Sequence, residues 1–422
     1  MKDLKQEIRQ LIDNKAIADT HEHLLNERER IENGPKDIGL FFSQYLDAEW
    51  ELCGMTLEKV ASLKDPALSA REKWQIVKPY YELIKHNGYG QMIRRSIKLL
   101  YGFDDFSDDN IDDIQASIER NIQSGYYQKI LELCNIDHCQ VNALDAPHFR
   151  QPDVENMYGD ICVTTLCSNL DIPVVEKVLG RKIKELSDLT EAIDLVFEAY
   201  GQEAVAVKNQ AAYTRSLHFV RWEDAVVEHC FDFFCRKKWK LDTGERKPLE
   251  DYLTHYTIEK AIEYDLPYKF HTGMTAGCNS PLFYTVRDHA ADCAFLCTEH
   301  PDANFVFMHL MYPYQHEALA LAKQYPNAYI DMCWSWMINP RAAIQFLKEA
   351  ITSIPLHKIF VFGGDVSYIE LLPGHVDMAR QGIAQALYEL VSENWIIKED
   401  VQNIIDQLFI GNAKGLFSKL SE

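Results

Sequence analysis

Two histidines one residue apart, His21 and His23, are the first residues in this chain whose spacing suggests chemistry. They follow the short apolar run Lys15-Ala16-Ile17-Ala18, which reads as a strand. Residues two apart on a strand face the same side, so both imidazoles can share one cation. Asp19 precedes them on that face and can orient a ligand from behind. Glu22 should point the other way. Three later residues could complete the site: His271 in Phe270-His271-Thr272-Gly273, His309 after Phe305-Val306-Phe307-Met308, and Asp365 in Gly363-Gly364-Asp365.

Each has a plainer reading. A lone histidine is usually structural, and Asp365 could simply cap the next helix. Near a divalent ion, however, Asp365 can bind the metal and accept a proton from water. His309 is read either as a ligand to a second ion or as a donor that polarises substrate. Lys208 ends Val205-Ala206-Val207, and a lysine there loses hydration unless it finds a partner. It can bind a substrate carboxylate, act as a base, or carry a carboxylate that bridges two metals; the plain alternative is a lysine snorkelling out of the rim. Arg215 offers a fork for a carboxylate, and Tyr213 and Trp334 can wall the pocket. Trp336 is a second wall candidate, with core packing the plainer role for one of the two tryptophans.

These residues need elements that bring them together. Apolar, β-rich runs recur at Lys15–Asp19, His138–Leu144, Ala204–Lys208, Pro267–His271, Asn304–His309, Ala328–Met332 and Lys358–Gly363, with a weaker one near Ile172–Val178. Helical stretches separate them. This alternation indicates a parallel sheet, and eight strands would close a barrel. Nearly every run ends in a residue able to bind metal or move protons. A barrel gathers all its strand C-termini on one face, whereas an open sheet spreads them along a line. No G-x-G-x-x-G follows the first strand, so a dinucleotide site is not indicated. The expected fold is therefore a distorted (β/α)8 TIM barrel formed by residues 1–25 and 138–422. Residues 26–137 form a helical insertion after the first strand, with helices over Ala70–His86, Gly90–Tyr101 and Asp109–Leu133. This insertion is read as a cap over the mouth, or alternatively as an oligomerisation subdomain. A second insertion, Phe231–Lys247, reads as a solvated excursion.

A length of 422 residues accommodates such a barrel, and 47% hydrophobic with 25% charged residues is ordinary for a globular chain. The formal net charge of -21 repels phosphate backbones and anionic lipid surfaces, so neither nucleic acid nor membrane is an expected partner. The 11 cysteines form no C-x-x-C pair. With a charged, amphipathic N-terminus and no apolar signal core, they point to a reduced, cytoplasmic protein. A small-molecule substrate is expected, and assembly into a homo-oligomer is left open.

The pattern resembles the amidohydrolase superfamily. His21-Glu22-His23, Lys208, His271-Thr272-Gly273, His309 and Gly364-Asp365 carry the resemblance. Val207–Tyr213, Met308–Tyr314 and Ile410-Gly411-Asn412-Ala413 bring it close to the amidohydrolase-2 group, which includes domains fused to glutamine synthetase. More distantly the chain is similar to uronate isomerases. The likeness runs from Ile17 over most of the chain and is weakest in the cap. It implies one or two divalent ions, zinc first, with manganese or iron as alternatives. His21, His23, His271, Asp365 and Lys208 would be the ligands, with Lys208 at the position of the carboxylated bridging lysine of two-metal members. This chain has Gly363-Gly364-Asp365 where Gly-Ser-Asp is usual. The expected activity is metal-dependent hydrolysis of a small polar, carboxylate-bearing amide, ester or lactone, with Asp365, His309 and Lys208 catalytic and Arg215, Tyr213 and Trp334 binding substrate. The alternatives are a sugar-acid isomerase, a decarboxylase or lyase, and a non-catalytic barrel that keeps only binding.

Overall fold

A computed structural model describes residues 2–144, 148–280 and 282–420. Eight strands run in parallel and in chain order: β1 (Ile17–Glu22), β2 (Ile136–Val141), β3 (Met157–Cys162), β4 (Ala206–Asn209), β5 (Tyr268–Phe270), β6 (Phe305–Phe307), β7 (Ala328–Asp331) and β8 (Ile359–Phe360). Main-chain bonds just past β8 close the seam onto β1. Thr20 N donates to Phe362 O at 3.1 Å, and Asp365 N donates to His21 O at 2.8 Å. The fold is the expected (β/α)8 barrel.

Side-chain alternation sets the layers. Tyr268 and Phe270 on β5 meet Phe305 and Phe307 on β6 in one aromatic cluster. Between them, Val306 lies with Ala18, Ala206, Phe360 and Phe417 in a separate apolar cluster. The Lys269 ammonium lies 5.1 Å from the Phe417 ring centroid. It donates to Thr20 O (2.8 Å), Gln140 Oε1 (2.6 Å) and Asp160 Oδ2 (2.8 Å). A buried polar layer drawn from β1, β2, β3 and β5 therefore lies beneath the strand ends.

Two strand expectations change. The segment near Ile172–Val178 is helix Ile172–Leu179. Asp171 accepts from Val174 N and caps the helix, a proline occupies its first turn, and Gly180 ends it in the left-handed conformation. That punctuation outweighs the β-branched content. The eighth strand is β3, Met157–Cys162. Gly159 and Asp160 interrupt its apolar pattern, and only the pairing of Asp160 with Lys269 makes an aspartate tolerable there.

The insertion is helical from Glu27 to Leu133, including helices Ala70–Ile84 and Gly88–Tyr101, and β2 begins at Ile136, inside the expected bound of 137. The predicted helix over Asp109–Leu133 is two, Ile111–Asn121 and Tyr126–Leu133, with Gly125 at φ 83° between them. The insertion packs closely on the barrel: a Cβ at Gly88 would lie 1.9 Å from Met337 O, and one at Gly374 would lie 2.0 Å from Met92 O. Phe231–Lys247 faces solvent over most of its length, as expected, but it is largely helical. Helix Asp224–Arg236 buries Phe231 and Phe234, and Asp242 caps the next helix, Thr243–Glu263. Among the described residues no helix is long and apolar enough to cross a membrane. All eleven cysteines are free.

Candidate metal centre

The ends of β1, β5, β6 and β8 deliver their polar residues to one place. His23 Nε2 lies 3.1 Å from Asp365 Oδ1, and His21 Nε2 lies 3.6 Å from the same oxygen. The other carboxylate oxygen, Oδ2, lies 3.9 Å from His309 Nδ1. His309 Nε2 is 3.0 Å from His271 Nδ1. Burial alone would raise the Asp365 pKa. The His23 hydrogen bond and the fields of His309, His23 and Lys208 outweigh it and hold the carboxyl below its ordinary range.

Main-chain carbonyls orient three of the four imidazoles. His23 Nδ1 faces Asn142 O at 2.8 Å, His271 Nε2 faces Met274 O at 3.0 Å, and His309 Nδ1 faces Cys333 O at 3.0 Å. A carbonyl only accepts, so each of these nitrogens is assigned the ring proton. Burial lowers the pKa of His271 well below its usual value and that of His309 to about 4, so at neutral pH each ring has one proton. Their remaining nitrogens then point bare lone pairs at each other across 3.0 Å. Neither His21 ring nitrogen has a hydrogen-bond partner among the described residues, although the side chain is fully buried. Imidazoles oriented from behind, with His21 left without a partner among the described residues, around an ionised carboxylate suit a divalent cation. Metal-bound nitrogens at about 2.0–2.1 Å from a tetrahedral ion would sit only slightly farther apart than these two.

Backbone strain collects here as well. His309, Leu310 and Met311 have φ of 62°, 57° and 51°, Trp334 has 65°, and Asp365 has 57°. Left-handed conformations at non-glycine residues persist where the surroundings over-determine them. His309, Trp334 and Asp365 among them stand at the centre.

Lys208 is fully buried, and its Nζ lies 2.8 Å from Met308 Sδ, a weak acceptor. Burial lowers its pKa. The Tyr213 ring packs on His271 with centroids 4.5 Å apart, and its hydroxyl accepts from Ala276 N at 3.2 Å. Trp334 lies edge-on to His309 and stacks on Tyr45 at 4.6 Å and 22°. Trp336 takes the plainer role: it is buried, donates to Val361 O and packs against Gly382.

Arg215 does not come to the site as a free fork. Its guanidinium is buried between Glu250 and Asp251 and lies over the Phe219 ring. A carboxylate-seeking group that already has two carboxylates has nothing left to offer a substrate. Asp19 is also placed differently. The register of β1 against β2 shifts between Asp19 and Glu22, and the Asp19 carboxylate accepts from Gly364 N and His21 N rather than from an imidazole.

Sequence reasoning missed Cys333, Lys269, Asp160 and the cap residues Gln44 and Tyr45. Cys333 stands just past the end of β7, so the strand-end criterion used for the histidines would have found it. Gln44 Nε2 donates to Asp365 O, and its Oε1 accepts from Ser367 N. No local signal marks such a contact across 321 residues.

Residues 233–418, which include His271, His309 and Asp365, match the amidohydrolase family. A stretch of 172 residues is 32% identical to the fluG protein of Emericella nidulans, covering 38% of this chain but only 19% of that much longer protein. The whole chain superposes on glucuronate isomerase from Caulobacter crescentus (TM-score 0.81, 15% identity, covering 100% of this chain and 95% of that one). Uronate isomerase from Thermotoga maritima gives a TM-score of 0.77 at 15% identity, covering 98% and 97%. A proposed metal-dependent hydrolase from Lactobacillus casei gives 0.66 at 16% identity, covering 98% of each chain. At these identities the superpositions establish the (β/α)8 barrel fold alone.

Proposed function

We propose that this chain is a metal-dependent hydrolase of a small amide, ester or lactone. One observation carries the reading: Asp365 lies within 3.1 Å and 3.6 Å of the His23 and His21 Nε2 atoms and faces His309 with its other oxygen. His21, His23, His271 and Asp365 would hold the ion. A divalent ion there, zinc by the donor set, supplies Lewis acidity and brings the pKa of a water toward neutrality.

The chain's own residues do the rest. Asp365, kept ionised, takes the proton of the attacking water and passes it to the leaving group. Lys208 adds positive charge near the developing oxyanion. His309, held by Cys333 O through Nδ1, keeps the lone pair of Nε2 turned to the centre beside His271.

The mouth refines the substrate. A cleft of about 310 Å³ is lined by Tyr45, Tyr89 and Trp334 with the loop after β5, and none of its described lining residues is lysine or arginine. With Arg215 already paired, none of the described lining residues favours a carboxylate. The group held there would be flat and uncharged, stacked among the aromatic rings.

The test is the chain purified without chelator, assayed for metal content and against a panel of amides, esters and lactones, with product mass as the readout. A gain of one water supports hydrolysis. Unchanged mass on a uronate would replace this reading with isomerisation, and loss of carbon dioxide would replace it with a lyase. Asp365→Asn should lower kcat by about 10²–10⁴-fold and leave the fold intact.

A further inference from the structure

Cys333 stands among the ligands, yet none of the mechanism above uses its sulfur. Its Sγ, one imidazole nitrogen of His309 and one carboxylate oxygen of Asp365 all lie within 4.8 Å of one another, and all three residues are buried. The same span encloses His21, His23 and Asp365. The two triads share Asp365, and its two oxygens divide between them: Oδ1 faces His21 and His23, and Oδ2 faces His309.

The thiol is held in position. Cys333 N donates to Asp331 Oδ1 at 2.8 Å, and Cys333 O meets His309 Nδ1 at 3.0 Å. Trp334, in the left-handed conformation, donates its N–H to Gly363 O at 3.0 Å. Opposite the sulfur is Gly363, where a Cβ would lie 2.9 Å from Sγ. The glycine leaves the thiol its space, and the fixed backbone keeps it beside His309. The second sign of a ligand is independent of the cysteine: His309 Nε2 and His271 Nδ1 converge to 3.0 Å at the same strand ends, and both ring nitrogens of the buried His21 have no partner among the described residues.

We propose that Cys333 is a sulfur ligand to a second metal ion, held with His309 and Asp365, so that Asp365 rather than a modified lysine bridges the two positions. This rests on the metal reading of the site. As the sulfur–metal bond forms, the S–H proton leaves to solvent, so binding of the second ion releases one more proton than binding to nitrogen and oxygen alone. A thiolate ligand biases that position toward zinc, cobalt and cadmium and away from magnesium and manganese.

The experiment is a titration of the metal-free, full-length chain with Co²⁺ under reducing conditions. It follows the thiolate-to-cobalt charge-transfer absorption in the near ultraviolet and the visible d–d bands, with ion content measured by mass spectrometry. Two ions per chain and a charge-transfer band are expected. Cys333→Ala should hold one ion, keep d–d absorption and lose the band. Cys333→Ser, closer in size, should also lose the band and guards against misfolding of the alanine variant. His21→Ala should lose the first position and keep the sulfur band. Cobalt binding with no sulfur band, or a band that survives in both Cys333 variants, overturns the cysteine assignment while the metal reading stands. No cobalt binding at all overturns both.

Discussion

A Cβ built on Gly364 would lie 1.8 Å from Glu22 Oε1 and 2.7 Å from its Cδ. The two residues occupy one space on the β1–β8 seam. Glu22 is fully buried, and its Oε2 accepts from Val366 N at 2.6 Å. Burial and the neighbouring Asp19 raise its pKa well above the usual carboxyl value. A serine side chain, usual at this point in the resembling family, cannot coexist with that carboxyl. Gly364→Ser should therefore destabilise the chain by about 1–3 kcal/mol, as overpacking does. Glu22→Ala in the same chain should recover much of the loss. Urea unfolding of the two single variants and the double variant would show a coupling of about 1–3 kcal/mol. Additive effects would mean that the two side chains do not compete.

This pair also shows where sequence reading stops. The strand-end histidines and Asp365 were legible because each ends an apolar run, and a barrel puts such ends together. Trp334 and Tyr213 were legible by adjacency to those ends. Glu22 and Gly364 are 342 residues apart, and only the closed seam makes them neighbours. β3 was illegible because Asp160 breaks its apolar pattern, and the partner that neutralises it lies two strands away on β5. Arg215 misled for the opposite reason: its residue type fitted a substrate carboxylate, but Glu250 and Asp251 on helix Thr243–Glu263 had already taken it.

Lys269 and Asp160 form a buried pair at 2.8 Å, both fully screened from solvent. Removing one partner of such a pair strands the other charge. Lys269→Met should cost about 3–5 kcal/mol, because Asp160, Gln140 and Thr20 O lose their shared donor. Lys269→Met with Asp160→Leu should be more stable than Lys269→Met alone. Guanidinium unfolding of the three chains decides it, and a double variant less stable than Lys269→Met would sink the idea.

Tyr45 stacks on Trp334 at 4.6 Å and leans on Tyr89 at 6.1 Å, making the aromatic wall of the cleft. An aromatic contact contributes about 0.5–1.5 kcal/mol, so Tyr45→Ala should raise KM roughly 2- to 10-fold for substrates with a planar group. kcat should move little, because the ring binds ground state and transition state alike. Tyr45→Phe should behave like the parent. An equal KM effect on substrates lacking a planar group would remove the wall from the binding account.

His255 and His300 stack with centroids 5.0 Å apart, and His255 Nδ1 lies 2.7 Å from His300 Nε2. Burial is the main cause that lowers their pKa values, to about 4 for His255 and about 3 for His300, and the nearby Arg221 lowers both further. Asp251 and the Phe219 carbonyl act weakly in the other direction on His255, and Lys247 adds to the lowering. Folding therefore favours neutral rings, while the unfolded chain protonates them near 6.5. The stability they contribute is complete above pH 6.5 and is lost as pH falls toward 4, by about 3 kcal/mol for His255 at pH 4. Other buried histidines add to the parent's slope, so the test is a difference. His300→Asn keeps a hydrogen-bonding group beside His255 and removes one titrating ring. Its urea midpoint should fall less steeply than the parent's between pH 6.5 and 4, and parallel curves would show that this pair does not set the acid limit.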